Sequence, residues 1–178
     1  MKSVLGLVAA VCLVSASMAP TMANAAGKYG SNRANAAPLA YQLYCLKNPR
    51  ECKGGGRKTI HVAAGTMSKL SSVNRAVNRS IRARNDSKAD VWSSNVSVGD
   101  CEDYALTKRR RLLEMGFPAA ALRMAIARTS TGEGHAVLVV RTDKGDRVLD
   151  NRTDSIMGWN QSGLRLVKMA GPDPLRWS

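Results

Sequence analysis

Residues 98–116 read VGDCEDYALTKRRRLLEMG and hold one cysteine among carboxylates. Asp100 directly precedes Cys101, and Glu102 and Asp103 directly follow it. Negative charge raises the pKa of a thiol and weakens it as a nucleophile, so a reactive Cys101 would need a compensating influence. The alternative is a buried, unreactive residue, because free cysteine packs well in protein cores.

The same stretch predicts a helix that begins beside the cysteine. Asp100 is a favourable N-cap residue, and Asp103 occupies the position of the second partner in a capping box. Gly116 is a typical helix end. A thiol at a helix N-terminus lies near free main-chain N–H groups, which stabilise a thiolate. The helix side chains expected to face the core are Ala105, Leu112 and Met115.

Two predicted strands downstream supply further candidate residues. HAVLVVRT (135–142) is almost continuously apolar, as in a central strand, and DRVLDN (146–151) follows it. His135 begins the first strand and can serve a thiol as base and acid, while Asp150 ends the second and can fix the imidazole tautomer. Alternatively, His135 is a strand-edge residue and Asp150 forms a turn.

The turn between these strands decides whether His135 and Asp150 share one face of the sheet. An even loop, such as 142–145, makes paired residue numbers add to an odd value, and His135 is then the diagonal neighbour of Asp150. A three-residue loop over 143–145 places the side chains on opposite faces unless a bulge intervenes. The sequence permits both.

Periodicity elsewhere predicts an α+β domain, with helices first and an antiparallel meander after them. LAYQLYCLK (39–47) is a short helix, and a longer helix with apolar residues at spacings of three and four ends at about Asn85-Asp86. Strands are predicted at 122–129 and 163–169. The apolar residues of the longer helix are Met67, Leu70, Val73, Val77 and Ile81.

The N-terminal residues predict export. Residues 1–25 have one lysine, an apolar run over 4–14 and a small-x-small site, so cleavage is expected after Ala25. The apolar run is too short for a lasting membrane anchor, and residues 26–178 are expected to form one exported domain without a stable membrane span. Export permits a disulfide, and the spacing of Cys45 and Cys52 predicts one there.

The chain is strongly basic, with a formal net charge of +14, or +13 without Lys2 of the predicted signal peptide. Such a balance favours an acidic partner. Export and an aromatic content of 4% argue against nucleic acid, because base stacking needs aromatic side chains. An anionic envelope surface and an acidic protein remain as partners, and the charge serves solubility as well as attraction to such a partner.

Three segments together, GDCEDYALTKRRRLLEMGFP, GHAVLVV and RVLDN, resemble the bacterial transglutaminase-like cysteine proteinases. That family includes the LapG-type periplasmic proteases, which cut large surface adhesins. The resemblance implies a papain/transglutaminase-like fold, with Cys101 as nucleophile, His135 as general base and acid, and Asp150 as its orienting residue. It also implies a periplasmic thiol protease that cuts an adhesin's N-terminal linker during biofilm release, and an inner-membrane cyclic-di-GMP receptor as partner.

The resemblance also implies calcium dependence, with Asp100, Glu102 and Asp103 as ligands. Carboxylate oxygens suit calcium, and a bound cation would offset the negative charge around Cys101. The alternative is that these residues only cap the helix and complement its dipole. Other functions open to the chain are acyl transfer as in transglutaminases, hydrolysis of peptidoglycan peptides, or a non-catalytic calcium-binding role in the envelope.

Overall fold

The computed structural model describes residues 36–87 and 89–178 of the chain. The predicted signal peptide, residues 1–25, lies outside the described residues. The helices are α1 (Leu39–Lys47), α2 (Thr66–Ser80) and α3 (Cys101–Glu114), with 3-10 turns at Ala119–Ala121 and Trp159–Gln161. The strands are β1 (Arg82–Ala83), β2 (Val98–Gly99), β3 (Leu122–Arg128), β4 (Gly134–Val140), β5 (Arg147–Leu149), β6 (Met157–Gly158) and β7 (Arg165–Met169).

A five-stranded antiparallel sheet follows the helices, in the order β6-β5-β4-β3-β7. The α+β prediction is therefore confirmed. Strands β3 to β6 form a meander, but β7 pairs with β3 at the opposite edge, so the expectation of a simple meander is wrong for the last strand. Helix α3 packs against β4 in the middle of the sheet, which brings the start of that helix close to the start of that strand.

The β4–β5 hairpin adopts the even-loop register. Leu138 pairs with Leu149 and Val139 with Val148, so paired residue numbers add to an odd value. The turn is closed by a hydrogen bond of 3.1 Å from the Gly145 main-chain N–H to the Thr142 carbonyl. His135 and Asp150 consequently face the same side of the sheet.

The helix ends differ in part from those predicted. Helix α2 ends at Ser80 rather than at Asn85-Asp86, because Ile81 is extended and the chain then pairs in parallel with β2. Gly116 has a φ of 82°, the left-handed conformation expected of a residue that ends a helix. Met115 was expected to face the core, but 48% of it is exposed, because the helical residues end at Glu114.

Residues from the N-terminal and the C-terminal parts of the described chain pack in one hydrophobic core. The predicted disulfide links Cys45 of helix α1 to Cys52 in the loop that follows the helix. Next to it, Tyr41 contacts Trp92 and Trp177 edge to face, with ring centroids 5.5 Å apart in both pairs. Trp92 therefore belongs to the core. No helix within the described residues is long and apolar enough to cross a membrane.

Candidate active site

A cleft opens where α3 begins, between the end of β1 and the start of β4. Its lining includes Ala83 at the end of β1, and Glu133 and Gly134 where the chain enters β4. The structure thus places the predicted nucleophile and its predicted base on one surface. The lining residues are Ala83, Asn85, Asp100, Cys101, Glu133, Gly134, His135, Asn151 and Arg152.

Cys101 is the first residue of α3 and the only free cysteine among the described residues. Its Sγ accepts a hydrogen bond of 3.3 Å from the main-chain N–H of Ala136, the residue after His135. The thiol also lies 3.1 Å from Glu102 Oε2. The helix start and the central strand thus meet at the sulfur.

His135 and Asp150 form a buried pair beside the thiol. His135 Nε2 and Asp150 Oδ1 are 2.9 Å apart. Arg152 also holds the carboxylate: its main-chain N–H donates to Oδ1 at 2.9 Å, and its guanidinium donates to Oδ2 at 2.9 and 3.0 Å. Burial alone would raise the pKa of Asp150, but the hydrogen bonds from His135 and Arg152 hold it well below its usual range. Asp150 is thus a buried, ionised partner for the imidazole.

The thiol itself is held in its protonated form by its surroundings. Burial, followed by the charge and hydrogen bond of Glu102, raises the pKa of Cys101 to about 12, although the N–H of Ala136 opposes the rise. The physical conflict visible in the sequence is therefore present in the structure. Activation of Cys101 requires a proton acceptor and positive charge nearby.

The acidic residues around Cys101 point to different partners. Glu102 faces the thiol and Asp90, and burial is the main reason that its pKa is raised to about 8. Asp103 accepts a hydrogen bond of 2.7 Å from the Ser93 main-chain N–H. Asp100 occupies the N-cap position, as predicted, but its side chain makes no capping hydrogen bond, and its Oδ2 accepts instead from the Asp86 N–H at 3.2 Å.

The donor chemistry of this acidic segment fits a hard cation. Asp100 Oδ1 is buried and has no hydrogen-bond partner among residues 36–87 and 89–178. Within that part of the chain, no three histidine, cysteine or acidic side chains converge as a metal-binding group. The oxygens that calcium prefers are therefore present, but they do not converge on one point.

No strong sequence pattern predicts the roles of two groups at the cleft, the Arg152 side chain and the Ala136 main-chain N–H. Arg152 lies two residues after Asp150, and the only hint is the basic residue in DNR. Ala136 acts through its main chain, which no side-chain pattern predicts. The other histidine, His61, lies elsewhere on the surface and pairs with Asp143, which is part of the β4–β5 turn.

A family model matches the part of the chain that contains the cleft. The model described as bacterial transglutaminase-like cysteine proteinase BTLCP matches residues 31–178. That range includes every residue of the cleft. Among curated proteins, none matches the sequence significantly.

Solved structures of a LapG protein have a similar fold. The calcium-bound LapG of Legionella pneumophila is 27% identical, covers 58% of this chain and 64% of its own, and has a TM-score of 0.53. The EGTA-treated form is 28% identical, with 58% and 62% coverage and the same TM-score. The match thus spans less than two thirds of the LapG chains.

Proposed function

The chain belongs to the bacterial transglutaminase-like cysteine proteinases, and we propose that it is an exported thiol endopeptidase with Cys101, His135 and Asp150 as its catalytic triad. One observation carries the proposal: His135, which lines the same cleft as the free thiol of Cys101, makes a buried 2.9 Å hydrogen bond to Asp150. A nucleophile, a base and an orienting carboxylate in this arrangement are what thiol-dependent acyl transfer needs.

The proposed reaction is hydrolysis of a peptide bond in two stages. His135 Nδ1, the ring nitrogen that Asp150 does not engage, accepts the thiol proton as Cys101 Sγ attacks the carbonyl carbon. Main-chain N–H groups at the start of α3 stabilise the oxyanion. His135 then gives the proton to the leaving amine, and water attacks the thioester to release the acid and restore the thiol.

We propose that calcium binds to the acidic segment through Asp100, Glu102 and Asp103. The support is the oxygen donor set, the solved calcium-bound LapG, and the buried Asp100 Oδ1, which has no hydrogen-bond partner within the described part of the chain. Bound there, the cation supplies positive charge that offsets the carboxylates beside the thiol. Residue chemistry still makes and breaks every bond in the proposed reaction.

The proposed substrate is a protein segment in the cell envelope. Membership of a proteinase family supports a protein substrate, and the net charge of +14 favours an acidic one. In line with the resemblance in sequence, we propose the N-terminal linker of a large surface adhesin. The matching proposals are a periplasmic location, a role in biofilm release and a cyclic-di-GMP receptor in the inner membrane as partner.

The test is cleavage of an adhesin N-terminal fragment by the purified chain, with calcium and with EGTA. Cys101→Ala is expected to abolish cleavage, and Asp150→Asn to lower kcat by about 100-fold or more. Asp146→Asn is the matched control, because Asp146 lies on the same hairpin but pairs with Arg141 at its surface. Its cleavage rate is expected to equal that of the unchanged protein.

Each other result points to a different function. Cleavage that needs Cys101 but ignores EGTA would leave the acidic residues with a structural role at the start of α3, where they complement the helix dipole. Incorporation of an added amine into the product would indicate acyl transfer. A folded, reduced protein that cleaves neither the adhesin fragment nor peptidoglycan peptides, yet binds calcium, would indicate a non-catalytic envelope protein.

A further inference from the structure

Two asparagines of α2 donate hydrogen bonds to the turn that follows Asp150. Asn74 and Asn78 lie one helical turn apart and direct their side-chain amides at residues 150–154. Asn74 is fully buried, and Asn78 is half-buried. Their placement on one helix face lets them act on the same turn.

The two asparagines share one acceptor and differ in their other contacts. Both donate to the Thr153 carbonyl, Asn74 at 2.9 Å and Asn78 at 3.0 Å. At Asp154, Asn74 donates to the main-chain carbonyl and Asn78 to the carboxylate, each at 3.2 Å. Only Asn78 reaches Asp150, donating to its main-chain carbonyl at 3.2 Å. Asn78 therefore contacts the residue whose carboxylate holds His135.

The helix that carries the thiol also reaches toward this turn. Lys108 of α3 is fully buried, and its Nζ has no hydrogen-bond partner among the described residues. The charges that act on it are those of Asp150 and Asp154, and the ring of Tyr104 lies 6.0 Å from the Nζ. Buried polar groups in native proteins are usually paired, so a charged side chain kept here at a cost in stability is consistent with a functional turn.

We propose that Asn78 is a positioning residue that fixes the main chain at Asp150 and so aims its carboxylate at His135. A carboxylate can orient an imidazole only if its own main chain is held in place. Strand β5 ends one residue before Asp150, so strand pairing does not hold the main chain there. The hydrogen bond from Asn78 replaces the strand pairing that ends there. The inference rests on the proposed function, because it assigns Asn78 a role through the proposed triad.

The test compares Asn78→Ala with Asn74→Ala. Asn74 is the matched control, since it lies on the same helix and donates hydrogen bonds to the same turn but does not contact Asp150. The direct readout is the low-field NMR resonance of the imidazole N–H that His135 shares with Asp150, recorded together with urea unfolding. We expect Asn78→Ala to shift or broaden this resonance, and Asn74→Ala to lower stability while leaving it in place.

On a cleaved peptide, Asn78→Ala is expected to lower kcat by about 10- to 100-fold with little change in KM. Equal effects of the two variants on the resonance, or no effect of Asn78→Ala, would overturn the proposal. Asn78→Ser, which keeps a donor on a smaller side chain, is read in the same way if Asn78→Ala does not fold. The NMR measurement needs no substrate, so it tests the positioning role even if the chain cleaves no peptide.

Discussion

Cys101 lies where two opposing electrostatic influences meet. The start of α3 and the Ala136 N–H favour a thiolate, while burial and Glu102 favour the thiol and together raise its pKa to about 12. The sequence predicted this conflict, because the neighbours of the cysteine are adjacent in the chain. It could not predict the contribution of Ala136, which depends on how β4 docks against α3.

The close approach of Gly99 to Asp103 gives a prediction at the residue scale. A Cβ added at Gly99 would lie 2.2 Å from Asp103 Oδ2 and 2.8 Å from its Cβ, so Gly99→Ala must displace the first turn of α3. We expect a loss of about 1–3 kcal/mol in the free energy of unfolding, measured by urea denaturation.

Gly134→Ala is the control for this substitution. Gly134 also borders the cleft, but an added Cβ there would meet no atom within 4 Å. The free energy of unfolding of Gly134→Ala is expected to stay within about 0.5 kcal/mol of that of the unchanged protein. Equal stabilities of Gly99→Ala and Gly134→Ala would contradict the close approach.

At the scale of elements, the long segments were predictable and the short ones were not. Helices α2 and α3 and strand β3 have a recognisable periodicity, and strand β4 has a long apolar run. The two-residue strands β1, β2 and β6 have none, because their pairing partners and not their sequences make them strands. The end of α2 was misplaced for the same reason, since tertiary pairing of Arg82 and Ala83 stops the helix.

The disulfide loop after α1 is expected to stabilise the region that contacts α3. Glu51, beside Cys52, binds Arg109 of α3 through its main-chain carbonyl, and Arg110 contacts its carboxylate at 3.2 Å. The double variant Cys45→Ala/Cys52→Ala is expected to lose roughly 2–3 kcal/mol, as the loop-entropy model gives for a sequence separation of 7. Urea unfolding followed by far-ultraviolet circular dichroism measures the loss.

Cys101→Ala is the control that distinguishes loss of the disulfide from loss of a cysteine side chain. It takes away a free cysteine and no covalent bond, so its unfolding free energy is expected to change by less than that of the double variant. A loss as large in Cys101→Ala as in the double variant would show that the loop contributes little.

At the scale of the whole molecule, the site depends on how distant segments assemble. Its three central groups come from α3, β4 and the residue after β5, and the hairpin register puts the last two on one face. The sequence permitted two registers, and the structure adopts the even one. The sequence also does not determine at which edge of the sheet β7 pairs, because both edge strands of the meander have free main-chain N–H and C=O groups.

The buried Lys108 predicts how global stability changes with pH. Burial lowers its pKa to about 7, whereas an unfolded lysine titrates near about 10.4. Between these values the unfolded chain binds more protons than the folded protein, so this residue makes the free energy of unfolding rise with pH. Lys108→Met is expected to be more stable by about 1–4 kcal/mol at pH 6, with the difference shrinking toward pH 10.

Urea unfolding at pH 6, 8 and 9.5 measures this difference. The exposed Lys69 of α2 is the control, and Lys69→Met should follow the pH dependence of the unchanged protein. Parallel curves for Lys108→Met and the unchanged protein would contradict a buried ammonium.

The aromatic cluster gives the molecule an optical reporter. Trp92 and Trp177 have ring centroids 6.5 Å apart at an angle of 60°, and Tyr41 lies against both. Chromophores this close couple their electronic transitions, so the circular dichroism spectrum should contain an exciton couplet from the strong indole transition in the far ultraviolet. Because these rings come from α1, from the segment before β2 and from residue 177, one spectral band reports whether three distant parts of the chain are docked.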